Sequence, residues 1–256
     1  MRILVLSDFH GEFEVLSGLK DVVKREKPEI IVFCGDIVKG KARGDEWLEA
    51  NATDRKPDSS LINIQLEHED ELYTYNKFFE AMNSFALPVL VIPGNIDAPE
   101  KLYTEVVKGI RQKLRNIHLI HKKTYRHLEV VFQGFGGEIT KGRKEDFFVL
   151  MYPRDEVLKG LEKASNMILV LHSPPRASLV DLEGVRHRGS EAVNDILEEL
   201  KPIACFCGHV HNAKGREKIG STVVINPGAM KYGNYTVVDI KGKVIDAKFG
   251  NMRQTS

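Results

Sequence analysis

Five apolar runs in this 256-residue sequence end in residues able to ligate a metal ion. Arg2 to Leu6 leads to Ser7-Asp8-Phe9-His10-Gly11, Glu29 to Cys34 to Gly35-Asp36, and Leu87 to Ile92 to Pro93-Gly94-Asn95-Ile96-Asp97. Met167 to Leu171 leads to His172-Ser-Pro-Pro175, and Ile203 to Cys207 to Gly208-His209-Val210-His211. A lone His-x-His pair is commonly a packing feature, and a lone strand-end aspartate is equally a helix cap or an Asx-turn residue. Five such corners on a common sheet edge are hard to explain as caps. Carboxylate, amide and imidazole without thiolate suit borderline divalent cations such as Mn, Fe, Ni or Zn. The seven residues Asp8, His10, Asp36, Asn95, His172, His209 and His211 exceed what one tetrahedral ion with an open position needs. Two ions about 3.5–4 Å apart, bridged by a carboxylate, would use them all, and such sites favour in-line displacement at phosphorus.

The elements that must position these corners read as alternating strands and helices. Short apolar runs bounded by Gly and Pro suit strands buried on both faces, and open α/β sheets place ligands at the carboxyl ends of such strands. Val15, Leu16, Leu19, Val22 and Val23 form a helical stripe stopped by Pro28, and Leu72, Tyr75, Phe79, Met82 and Phe85 form another over His68 to Phe85. Asp97-Ala-Pro-Glu100 has the form of a capping box before a helix carrying Leu102, Val106, Ile110 and Leu114 on one face. Further helices are expected over Asp155 to Ala164 and through Val193, Ile196, Leu197 and Leu200. Additional strands are expected at Ile117 to Ile120, Glu129 to Gln133, Ser221 to Asn226, Tyr235 to Ile240 and Lys243 to Phe249, with a turn at Gly134-Phe-Gly-Gly137. Lys39 to Leu66 is polar and lacks a clear period. It is expected to be a long, partly ordered excursion over the site, since structureless loops of that size in compact domains are usually functional or disordered. His118, His121 and His127 have no partners at ligand spacing and read as ordinary surface or sheet histidines.

Composition bounds the function. A chain of this length with 42% hydrophobic residues can build one large α/β domain, and residues 1–256 are read as a single domain. With 37 basic against 36 acidic residues, no global field recommends nucleic acid or a membrane surface, so selectivity must be local. Cys34, Cys205 and Cys207 sit inside apolar runs and read as buried thiols, not as a disulfide framework. No stretch approaches the roughly 20 apolar residues of a membrane span, and a cytoplasmic location is expected.

The series Asp8-x-His10, Gly35-Asp36, Gly94-Asn95-x-Asp97, His172 and Gly208-His209-x-His211, followed by Asn226-Pro-Gly-Ala229, resembles the metallophosphoesterases of the calcineurin-like superfamily. That resemblance implies a four-layer α-β-β-α sandwich of two mixed sheets with flanking helices. It also implies one metal held by Asp8, His10 and His211, another held by Asn95, His172 and His209, and Asp36 bridging. Two cations so placed would acidify a bridging water into hydroxide and neutralise charge on the phosphoryl oxygens, with manganese among the candidate ions. Hydrolysis of phosphodiesters, with phosphomonoesters as a further possibility, is the expected activity.

Ile96 departs from the pattern. Many members carry Gly-Asn-His-Asp or Gly-Asn-His-Glu there, the histidine aiding the transition state or the leaving group, and isoleucine cannot donate a proton. His187, flanked by Arg188, is the candidate substitute acid or phosphate contact; the other reading makes Arg186-His-Arg188 a solvated basic loop. A catalytically silent binding scaffold, as in the retromer subunit, and a nuclease of the same superfamily are the alternatives. The intact set of seven candidate ligands favours an enzyme. Lys122-Lys123, Lys141-Gly-Arg-Lys144 and Arg186 to Arg188 are the segments a nuclease would use. A phosphate ester is the expected partner, and oligomeric state is not legible.

Overall fold

The computed structural model of the protein describes residues 1–242 and 244–253. In chain order the elements are β1 (Arg2–Leu6), α1 (Val15–Glu26), β2 (Ile30–Phe33), α2 (Lys41–Ala52), α3 (Ile64–Asn83), β3 (Val89–Val91), α4 (Glu100–Arg111), β4 (Ile117–Leu119), β5 (Lys123–His127), β6 (Val130–Phe135), β7 (Glu138–Thr140) and β8 (Met151–Pro153). They continue with α5 (Arg154–Lys159), β9 (Met167–Leu171), β10 (Leu182–Glu183), β11 (Arg186–His187), α6 (Glu191–Leu200), β12 (Ala204–Phe206), β13 (Gly215–Ile219), β14 (Thr222–Asn226), β15 (Asn234–Lys241) and β16 (Val244–Asn251).

Two mixed six-stranded sheets result. The first runs β16-β15-β1-β2-β3-β4, with β1 to β4 parallel and β15 antiparallel to β1. The second runs β13-β14-β12-β9-β6-β5, with parallel β14, β12, β9 and β6 flanked by antiparallel edge strands. Strand side chains alternate between faces, and here both faces are covered. Ile3, Val5, Val32 and Leu90 of the first sheet meet Phe132, Ile168, Val170 and Phe206 of the second in one core between the sheets. Their neighbours Leu4, Leu6, Ile31 and Phe33 point the other way, against Leu19 and Val22 of α1, Tyr75 and Phe79 of α3 and Val107 of α4. Leu169, Leu171 and Cys205 pack outward against Val193, Ile196 and Leu197 of α6 and Val157 of α5. This is the expected four-layer α-β-β-α sandwich, and all three cysteines are free and buried in it.

Several local expectations are corrected. Lys39 to Leu66 is more regular than a partly ordered excursion: it contains α2, a 3-10 turn at Ser59–Leu61 and the first turn of α3. The inward side of α2 is Arg43, Gly44, Glu46 and Ala50, so it has no apolar stripe to betray it. In α3, Phe78 is buried while Leu72 is 39% exposed, shifting the buried stripe from the one expected. Gly134 and Phe135 lie inside β6, not in a turn. Helix α5 stops at Gly160, short of Ala164. Hairpin partner β5 and edge strand β13 were not anticipated, because exposed edge strands carry polar side chains on one or both faces. Lys243, the expected start of the last strand, lies outside the described residues.

Candidate metal centre

Strands β1, β2 and β3 of one sheet and β9 and β12 of the other end at a shared edge, and their corners interlock through the backbone. Asp8 N–H donates to Gly35 O at 2.9 Å, Phe9 N–H to Asp36 O at 2.8 Å, and Gly208 N–H to His172 O at 3.0 Å. The His209 N–H reaches the Asp8 carboxylate, joining the two sheets. Two glycines permit this closeness. A Cβ at Gly94 would stand 2.0 Å from Asp36 Oδ1, and one at Gly208 would stand 1.8 Å from Ser7 Oγ. Asp8, His10, Asp36 and His209 all adopt positive φ, between 48° and 68°. Such conformations cost non-glycine residues about 1–3 kcal/mol each and cluster where function holds them.

All seven sequence-derived candidates are brought together. One atom each from Asp8, His10, Asp36 and His211 lies within 4.8 Å of the others, a group that could hold a metal ion. His10 Nε2 lies 3.0 Å from His211 Nε2, and His211 Nε2 lies 3.5 Å from Asp8 Oδ1. Beside this group, Asn95 Oδ1 lies 2.8 Å from His172 Nε2 and 2.9 Å from His209 Nδ1. Asp36 Oδ2 faces both groups, 3.6 Å from His10 Nε2 and 3.4 Å from His172 Nε2.

The donor chemistry fits cations here. His10 Nδ1–H donates to Val38 O at 3.1 Å and His172 Nδ1–H to Cys34 O at 2.8 Å. With those bonds made, Nε2 of each ring points inward, the atom that a metal-ligating histidine offers in place of its proton. His10 Nε2 and His211 Nε2 then face one another, and His172 Nε2 faces an amide oxygen, contacts that a positive ion between them would satisfy. The buried carboxylates favour positive charge at the centre. Burial opposes charge on Asp36 and Asp8, yet the surrounding imidazoles hold both carboxyls below their ordinary range. Burial likewise pushes His10 and His209 down, while on His172 the carboxylates Asp36 and Asp8 outweigh burial and raise it to about 9.

The expected capping box is absent. Asp97 is wholly buried and accepts the N–H groups of Asp36 (2.9 Å), Ile37 (3.1 Å), Val38 (3.3 Å) and Gly94 (2.7 Å), plus the Tyr75 hydroxyl (3.0 Å). Glu100 turns instead to Lys122 and Tyr152. Its neighbour His121 is buried, its Nδ1 accepting the Gly136 N–H, and it bridges to Gly134 of β6, so it is a sheet histidine and not a surface one. Asn226 supports the histidine corner by donating to Val180 O, Gly208 O and Val210 O. A cavity of about 470 Å³ lies over the site, lined by His10, Asp36, Asn95, His209, His211 and also Lys39, Ile96 and Lys231. Lys231 was not singled out from sequence; its position two residues after the Asn226-Pro-Gly-Ala229 segment was the available signal. His187 and Arg188 are not among the lining residues: His187 Nδ1 lies 3.1 Å from Asp181 and Arg188 Nε donates to Glu183 at 2.9 Å.

Comparison with known proteins agrees with this geometry. The family model described as "Metallophosphoesterase, calcineurin superfamily" matches residues 1–249. An uncharacterized protein of Methanocaldococcus jannaschii is 28% identical over 247 residues, covering 92% of this chain and 91% of that protein. A solved crystal structure 31% identical in sequence superposes with a TM-score of 0.86 over 96% of this chain and 98% of its own. A dimetal phosphatase from Danio rerio, 13% identical, shares the fold with a TM-score of 0.62 over 98% and 96% of the two chains. The chain belongs to the calcineurin superfamily of metallophosphoesterases.

Proposed function

We propose that this protein is a phosphodiesterase working with two divalent cations, one held by Asp8, His10 and His211 and the other by Asn95, His172 and His209, with Asp36 between them. The observation that carries the two-cation centre is the position of Asp36 Oδ2, within 3.6 Å of one histidine of each group. When bound, such cations supply Lewis acidity toward phosphoryl oxygens and acidify water. The remaining work belongs to the chain. Ile96 N–H occupies Asp36 Oδ1 at 3.0 Å and so leaves Oδ2 for the centre. Lys39 and Lys231 line the cavity and meet phosphoryl charge from the solvent side. Free, buried cysteines support a cytoplasmic setting, and no helix among the described residues is long and apolar enough to cross a membrane.

Ile96 shapes the specificity. It lines the cavity and cannot donate a proton, so this position gives the leaving group no acid. Aryl diesters are therefore expected to react far faster than alkyl diesters. The test is a screen of aryl and alkyl mono- and diesters after reconstitution with Mn, Fe, Ni or Zn, with Asp36→Ala as control. Metal-dependent diester cleavage lost in Asp36→Ala supports the reading; absence of hydrolysis with every metal favours the binding scaffold, and equal aryl and alkyl rates remove the leaving-group argument. The proposal that His187 and Arg188 meet the phosphoryl group is checked by His187→Ala, since unchanged kcat/KM would discard it.

A further inference from the structure

A second cavity, of about 430 Å³, opens between the N-terminus of α2 and the side of α3, and Lys39, Ala42, Leu66, Glu67, Glu71 and Thr74 are among its walls. Its volume lies in the range of small-molecule sites. It shares Lys39, Gly40, Lys41 and Asp45 with the cavity over the metal centre. Thr74 and Lys39 also stand against Gly11, next in sequence to His10: a Cβ at Gly11 would be 3.6 Å from Thr74 Cγ2 and 3.4 Å from Lys39 Cε. The two cavities are thus neighbours across Lys39 and Gly40, and an extended molecule reaching over these residues would have one end near His10 and the other between the two helices.

The polar groups in this cavity do not balance. Arg43 is completely buried and reaches both Glu67 and Glu71, one cation between two carboxylates. Glu67 is well served: it also accepts the N–H groups of Ala42 at 2.8 Å and Arg43 at 3.2 Å at the start of α2, where the helix dipole favours an anion. Glu71 is not. It is 3% exposed, Oε1 takes one guanidinium nitrogen of Arg43, and Oε2 has no hydrogen-bond partner among the described residues. A buried acceptor left unmade is costly, and native structures reserve such atoms for a ligand or a mechanism. Burial lifts the Glu71 carboxyl to about 8 against the pull of Arg43, with Glu67 pushing the same way as burial. Below that value the carboxyl keeps its proton, and an incoming N–H donor at Oε2 would favour the ionised carboxylate that accepts it, releasing that proton.

We infer that this cavity holds the organic arm of the phosphodiester and that the arm presents a nitrogen N–H donor, an amino group or a protonated nitrogen, to Glu71 Oε2. This rests on the phosphodiesterase reading of the neighbouring centre. Val38, Ala42 and Leu66 supply apolar contact for the body of the arm. The same N–H chemistry comes from two sources, the amino group of a nucleobase or a primary alkylamine.

Three diesters of 4-nitrophenyl phosphate, with a methyl, a 2-aminoethyl or a 5′-adenosyl second arm, keep the chemistry at phosphorus constant while varying the arm. In the Mn-reconstituted protein at least one N–H-bearing arm is expected to exceed the methyl arm at least tenfold in kcat/KM, and the preferred arm identifies the source. In Glu71→Gln the amide keeps an acceptor for Arg43 but turns a donor toward the arm, so the ratio is expected to fall close to one. Ala42→Leu narrows the cavity without touching Glu71 and is expected to lower the same ratio, with thermal unfolding checking that each variant is folded. Equal kcat/KM for all three arms, or a preference that survives Glu71→Gln, overturns the inference. If no ester is cleaved, the phosphodiesterase reading fails by itself. Calorimetry of the metal-free protein with adenosine and with 2-aminoethanol still decides the cavity: binding of one of them that Glu71→Gln weakens at least tenfold supports it, and binding of neither overturns it.

Discussion

The buried carboxylate of Asp97 accepts the backbone N–H of Asp36 at 2.9 Å and gathers three further N–H groups and the Tyr75 hydroxyl around the same two oxygens. It ties the corner after β2 to the corner after β3 without entering the donor set itself. Asp97→Ala would strand these donors in a dry environment at about 1–3 kcal/mol for each one left unmade. The variant is expected to lose at least about 3 kcal/mol by urea unfolding and to retain less metal after dialysis. Wild-type stability together with wild-type metal content would show that the loop holds its shape without this carboxylate.

The same geometry makes the two histidines of Gly208-His209-Val210-His211 separable. His211 lies with His10 and Asp8, whereas His209 lies with Asn95. Elemental analysis of reconstituted protein is expected to find about one equivalent lost in His209→Ala and about one lost in His211→Ala, with Asp36→Asn losing more than either. Hydrolysis should fall on the order of 10²–10³-fold in each, the scale of removing a preorganised electrostatic partner. Full metal content in both histidine variants would contradict the two-group assignment.

Why were these corners visible while their supports were not? Apolar runs announce the strands, and Asp8, Asp36, Asn95, His172 and His209 follow them directly, so period and position together expose the site. Asp97 and Arg43 fail that test for opposite reasons. Asp97 sits three residues before Glu100, which imitates a helix cap, and only tertiary contact shows that its oxygens turn back to the corner after β2. Arg43 is a fully buried charge on α2, whose inward face also includes Glu46, paired with Arg55. Periodicity looks for apolar residues inside, so a helix that buries ion pairs reads as an irregular loop. Edge strands β5 and β13 were hidden because their side chains are largely exposed or half-buried.

Gly208 offers a test of how tightly the sheets are joined. A Cβ there would lie 1.8 Å from Ser7 Oγ, 2.7 Å from Ser7 Cβ and 2.8 Å from Asp8 Oδ2. Gly208→Ala is expected to destabilise by about 1–3 kcal/mol, as overpacked sites do. Adding Ser7→Gly removes the two nearest clashing atoms, so the double variant should recover part of the loss, with a coupling of about 0.5–3 kcal/mol in a double-mutant cycle. Strict additivity would mean that the corners after β1 and β12 are free to move apart.

Glu71 should leave a signature in the pH dependence of stability. Its carboxyl is raised to about 8 in the folded protein by burial, against an ordinary value of 4.5. Between those values the folded chain keeps a proton that the unfolded chain has released. The contribution is therefore present below about pH 4.5 and is lost as pH rises through about 8. Glu71→Gln carries no such proton, so its stability relative to the wild type should improve steadily from pH 5 to pH 8.5, by about 2–4 kcal/mol in total. Urea midpoints of the metal-free proteins measure this directly, since chelation removes any competing effect of pH on metal binding. A difference that stays flat across the range would mean that Glu71 is ionised throughout, with Arg43 compensating it fully.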